Sequence, residues 1–156
     1  MYIAILGRQP ALGMAELERV FGDVNWFSDQ SAVINADQFD IEQFGGTMKA
    51  GRIVTQLGHG DWRTVSMKIV HAYEKSWANY DGKITLGMSV YGFDVDTREI
   101  QKTAVVLKQK LKKSGGASLR IIPNAEPALN TATSHHNKLG LSDNKVKLLV
   151  VKSRSG

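Results

Sequence analysis

The chain has 156 residues and 17.2 kDa, with 42% hydrophobic and 22% charged residues, ordinary globular usage that excludes a disordered tail. It holds no cysteine, which excludes a disulfide framework, a thiolate zinc site and a cysteine nucleophile, and no run nears the roughly 18 apolar residues of a membrane-spanning helix. Residues 1–80 carry 7 Lys and Arg against 9 Asp and Glu, and residues 81–156 carry 13 against 6, so the net +5 comes from the second half and points to a polyanion, nucleic acid before membrane.

The opening MYIAILGRQPALG lacks the basic start and the apolar length of a signal peptide. Tyr2 to Leu6 predicts a buried strand, followed by a turn over Gly7 to Pro10. Met14 to Phe21 has helical spacing, with Leu17, Val20 and Phe21 on one face, Pro10 placed where a helix start tolerates it, and Gly22 as the stop. Val24 to Phe27 and Ala32 to Ile34 predict two short strands joined through Ser28, Asp29 and Gln30. Ile41 to Phe44 suits a short helix ended by Gly45 and Gly46, and Gly51 to Leu57 a further strand. The order strand, helix, strand, strand, helix, strand is the split βαβ pattern of ferredoxin-like domains and covers about the first 60 residues.

His59-Gly60 marks a joint. Asp61 is placed to cap a helix to about Trp77, with Val65, Ile69 and Ala72 on one face, and NYDG, Asn79 to Gly82, is a turn. Lys83 to Phe93 alternates Ile84, Leu86, Met88 and Val90 against smaller or polar neighbours and predicts a strand. Asp96 and Glu99 suit a capping box for the longest helix, about Thr97 to Lys113, whose apolar stripe is Ile100, Ala104, Leu107 and Leu111. Leu119 to Ile122 and Lys145 to Lys152 predict two more strands, while Ala128 to Leu139 is polar and reads as a loop leading into a helix. There is no internal repeat.

Two features carry chemistry. The Thr97–Lys113 helix sets Lys102, Lys108, Lys110, Lys112 and Lys113 opposite its apolar stripe, and Arg120 follows on the next strand. Clustered lysines attract phosphate without reading bases, although many solvated helices are lysine-rich and bind nothing. The second feature is ALNTATSHHNKL, Ala128 to Leu139, where Asn130, Thr131, Thr133, Ser134, His135, His136, Asn137 and Lys138 fill eight of nine successive positions. Short hydroxyl, amide and imidazole side chains suit the phosphates and sugar hydroxyls of a single-stranded end. The plain alternative is a helix start at His135-His136, capped by Thr133 or Ser134. No metal set is expected, because adjacent histidines point apart and no third ligand stands nearby. The chain has no G-x-S-x-G, P-loop or G-x-G-x-x-G motif, so no catalytic residue is expected in it. Trp26, Trp62 and Trp77 read as buried aromatics before they read as stacking platforms.

In sequence order, ILGRQPALGMAELERVFG, GGTMKAGRIV, LGMSVYGF and NTATSHHNKLG with its following strand resemble the N-terminal half of the tRNA guanosine-10 N2-methyltransferase family. The resemblance spans essentially the whole chain. It implies an α+β pair, a ferredoxin-like subdomain at about 1–60 followed by a THUMP-like α/β subdomain at about 61–156. It further implies that the THUMP part grips the single-stranded 3′ end and acceptor region of tRNA. Carried onto this sequence, Asn130, Thr131, Ser134, His135, His136, Asn137 and Lys138 stand where THUMP meets RNA, with Lys112, Lys113 and Arg120 on the elements leading there.

The family's catalytic domain, with its N/D-P-P-Y type motif, has no counterpart here. The expected partners are therefore tRNA and a methyltransferase domain, in cis or as a separate subunit, in the cytoplasm and not on a membrane. S-adenosylmethionine is expected in that domain, and no cofactor in this chain. Two rival readings remain: a module whose ferredoxin-like half docks a catalytic subunit without touching RNA, and a small-ligand sensor using the Gly45-Gly46 turn.

Overall fold

The computed structural model describes residues 1–154, apart from the side chains of Thr131 and His135. Helices and sheets mix in an α+β fold, with one antiparallel and one parallel sheet. The chain divides into two units, Met1–Gly58 joined by residues from Lys152 onward, and His59–Val151. The division thus falls at Gly58–His59, and the second unit gives up the last residues to the first.

The first unit contains β1 (Tyr2–Leu6), α1 (Pro10–Phe21), β2 (Val24–Ser28), β3 (Ser31–Ile34) and β4 (Thr47–Arg52). Its sheet order is β2-β3-β1-β4 with every pair antiparallel. Helix α1 begins at Pro10, the residue suited to a helix start, because a missing N–H costs nothing in the first helical turn. The second expected helix shrinks to a three-residue 3-10 turn, Ile41–Gln43. Strand β4 lies ahead of the expected Gly51–Leu57. Its register pairs Arg52 with Tyr2, and Ile53 N–H donates to Met1 O at 3.1 Å.

The core of this unit joins Ala4 and Leu6 of β1 to Met14 and Leu17 of α1, with Val24, Ala32, Ile34 and Phe44. Phe21 and Phe39 pack against it, with Phe39 stacked on Phe44 at 5.1 Å and on Phe21 at 5.6 Å. At the Gly45-Gly46 turn a Cβ on Gly46 would lie 2.6 Å from Gly13 Cα, so this side of the turn packs against α1. Gly46 N–H donates to Glu16 Oε1 at 3.0 Å and pins the turn there.

The second unit contains α2 (Trp62–Trp77), β5 (Lys83–Tyr91), α3 (Thr97–Ser114), β6 (Ser118–Ile121), α4 (Thr131–His136) and β7 (Lys145–Val151). Asp61 caps α2 by accepting from Thr64 N–H at 2.9 Å, and this bond holds its carboxyl below the usual range. Asp96 caps α3 in the same way from Glu99 N–H, and Gly115 closes it in the left-handed region at φ 73°. The sheet order is β6-β5-β7, with both pairs parallel. Central β5 is buried continuously from Ile84 to Val90, as expected for a parallel strand covered on both faces.

Candidate nucleic-acid interface

In-register partners of a parallel sheet share a face, so the pairings sort its side chains. One face carries Ile84, Leu86, Met88 and Val90 of β5, Leu119 and Ile121 of β6, and Val146, Leu148 and Val150 of β7. It is wholly apolar and suits the apolar stripe of α3, whose Ile100, Ala104, Leu107 and Leu111 are buried. The other face carries Arg120 beside Thr85 and Lys145, then Gly87 beside Lys147, then Ser89 beside Leu149.

Leu129 and Leu139 cover that second face at Gly87. A Cβ on Gly87 would meet Leu139 Cδ1 at 2.3 Å and Leu129 Cδ1 at 2.7 Å, so only a glycine admits both leucines without displacement. Three polar contacts fix the approach of this segment. Leu129 N–H donates to Ser89 Oγ at 3.0 Å, Asn124 Nδ2 donates to Met88 O at 2.8 Å, and Val90 N–H donates to Pro127 O at 3.0 Å. Right-handed crossovers from β5 to β6 and from β6 back across to β7 require connections on opposite faces, so α3 and α4 lie on opposite sides of the sheet.

Helix α4 starts earlier than the plain reading of this stretch supposed. Its cap is Asn130, whose Oδ1 accepts from Thr133 N–H at 2.7 Å, and not Thr133 or Ser134. Asn137 Nδ2 donates back to Thr133 O at 2.9 Å. Two of the expected RNA contacts, Asn130 and Asn137, are thus engaged in shaping the segment. Ser134 is buried, and its hydroxyl is without a partner among the described residues. His136 and Lys138 are exposed, and Lys138 closes the helix in the left-handed region at φ 54°. The side chains of Thr131 and His135 lie outside the described set.

Of the candidate cations, Arg120 is exposed on the α4 side of the sheet, whereas Lys112 and Lys113 are exposed on α3 across it. These are two surfaces, not one. The α4 side gains two lysines of β7 that were not among the expected RNA contacts, Lys145 and Lys147, both half-buried. Burial pushes the Lys147 ammonium below its ordinary value. The signal that would have found them is the two-residue spacing of Lys145, Lys147 and Leu149, which sends both lysines to one face.

Among the tryptophans, Trp62 is buried edge-on to Phe93 at 5.4 Å, Trp77 packs on Tyr73 at 4.8 Å, and Trp26 is 44% exposed. No group of three or more His, Asp or Glu able to hold a metal occurs among the described residues. No helix among them is long and apolar enough to cross a membrane. No protein-family model matches the chain, and neither a curated protein nor a solved structure matches it.

Proposed function

We propose that the chain is a tRNA-binding module, a ferredoxin-like unit followed by a THUMP-like one, that presents tRNA to a guanosine N2-methyltransferase domain in the cytoplasm. The observation that carries this reading is the α4 side of the parallel sheet, where Arg120, Lys145 and Lys147 share one face and His136 and Lys138 are exposed on the segment whose Leu139 rests over Gly87. Strands stand about 4.8 Å apart, so Arg120 and Lys145, on either side of β5, are separated by about 10 Å. Two cations at that separation suit neighbouring phosphates of one strand, while an imidazole edge suits a sugar hydroxyl or a base edge. S-adenosylmethionine belongs to the methyltransferase domain, and no residue of this chain is assigned to it.

The experiment is titration of the chain with deacylated tRNA, intact or trimmed of its single-stranded 3′ end, at about 50 and 200 mM salt. Binding that weakens steeply with salt and drops on trimming is expected. Binding indifferent to both would overturn the reading. The rival, a docking module for a catalytic subunit, is favoured by Leu12, Met48 and Val54 of the first unit, which are 65%, 61% and 69% exposed. It predicts no tRNA binding by this chain and capture of the methyltransferase domain in its place.

A further inference from the structure

We propose that the outer ridge of α3 docks the backbone of an RNA double helix, as a second surface separate from the strand-end site across the sheet. The inference rests on the RNA-binding reading above and assigns a different part of the RNA to each face.

Helix α3 runs 18 residues. After Glu99 it carries no acid, and Lys102, Lys108, Lys110, Lys112 and Lys113 are all exposed. At about 100° per residue, Lys102, Gln109 and Lys113 fall within about 40° of one another, opposite the buried Ile100, Leu107 and Leu111. Lys108 and Lys112 flank that row on one side. Lys110 lies on the other flank and reaches Glu74 of α2 at 3.9 Å; among the described residues it is the one lysine of this helix within ion-pair distance of a carboxylate. Four lysines are therefore left to meet an external anion.

From Lys102 to Lys113 the ridge is about 16 Å long at 1.5 Å rise per residue. A DNA duplex presents about one charge per 1.7 Å of axis and an RNA duplex a comparable density, so a ridge of that length, with Lys102 at one end and Lys112 and Lys113 at the other, faces several phosphates at once. The chemistry of the row matches that occupant. Lysines are hydrated point charges without the planar fork that reads base edges, so they suit sequence-independent backbone contact. An A-form helix is recognised through its backbone and 2′-hydroxyls, because its major groove is too deep and narrow to enter. Gln109 supplies the neutral hydrogen-bonding group such hydroxyls need, beside a shallow depression that it lines with Lys112 and Lys113. A single-stranded end held on the α4 side has the three-stranded sheet between it and this ridge, so the two sets of cations serve different segments.

The test compares the parent chain with the triple variant Lys102→Glu, Lys112→Glu and Lys113→Glu, all surface positions, with circular dichroism and the urea midpoint confirming the fold. Each is titrated with a blunt RNA duplex lacking any single-stranded end, and with a single-stranded RNA oligonucleotide. The expected result is loss of duplex affinity by about tenfold or more, with the log–log salt slope reduced by about two to three, while oligonucleotide affinity changes by less than about twofold. Unchanged duplex affinity in the variant would overturn the inference and leave the ridge to an acidic protein surface or to solvent. Parallel loss of both ligands would overturn it too, because the two faces would then be one site. If the parent binds the oligonucleotide and not the duplex, the ridge assignment alone falls. If it binds neither, the RNA-binding reading falls with it.

Discussion

Lys147 lies half-buried on β7, in register with Gly87, and burial lowers the affinity of its amine for a proton. The unfolded chain keeps that proton to higher pH. Between the lowered folded value and the ordinary 10.5, the unfolded state binds more protons, so stability rises with pH across that window. Below the folded value the unfavourable buried charge is present in full. Lys147→Met is therefore expected to raise the urea midpoint at pH 7 and to remove the lysine's share of the increase toward pH 10. The same variant is expected to weaken RNA binding. A lower midpoint at pH 7 would mean that the lysine supports the fold and is not held there for an anion.

Elements show a contrast between local chemistry and tertiary partners. Gly46 abuts Gly13 of α1, where a Cβ would lie 2.7 Å from Gly46 O, whereas adjacent Gly45 has nothing within 4 Å of its Cβ position. Backbone meets backbone at this contact, so no side chain can swing aside. Gly46→Ala is expected to cost about 1–3 kcal/mol in urea unfolding, and Gly45→Ala no more than about 0.5 kcal/mol. Equal effects would show that α1 does not pack on this turn. In the sequence, capped and periodic elements were the legible ones. Asp61 and Asp96 mark the starts of α2 and α3, and the stripe from Ile100 to Leu111 marks the buried side of α3. Strand β4 differs from the expected Gly51–Leu57 because its limits follow its pairing with β1, which local composition does not record. Helix α4 was ambiguous because it spans only Thr131–His136, too short for an apolar period, and depends on Leu129 and Leu139 resting over Gly87.

For the whole molecule, the charge split of the sequence foretold a basic second half but not its geometry. Lys112, Lys113 and Arg120 are close in sequence, yet the turn through Gly115 and Gly116 and the alternation along β6 send them to opposite sides of the sheet. Lys145 and Lys147 are distant in sequence from Arg120 and reach its face through strand register. A candidate site assembled across three parallel strands is visible only once their order is known. The most direct measurement is the salt dependence of binding to a single-stranded RNA oligonucleotide, for the parent and for Arg120→Glu with Lys145→Glu. The account predicts that the double variant, still folded, binds at least about tenfold more weakly, with a salt slope smaller by roughly 1.4 at about 0.7 per phosphate contact. Equal affinity and an equal slope would contradict it and remove the α4 side of the sheet as an RNA-binding face.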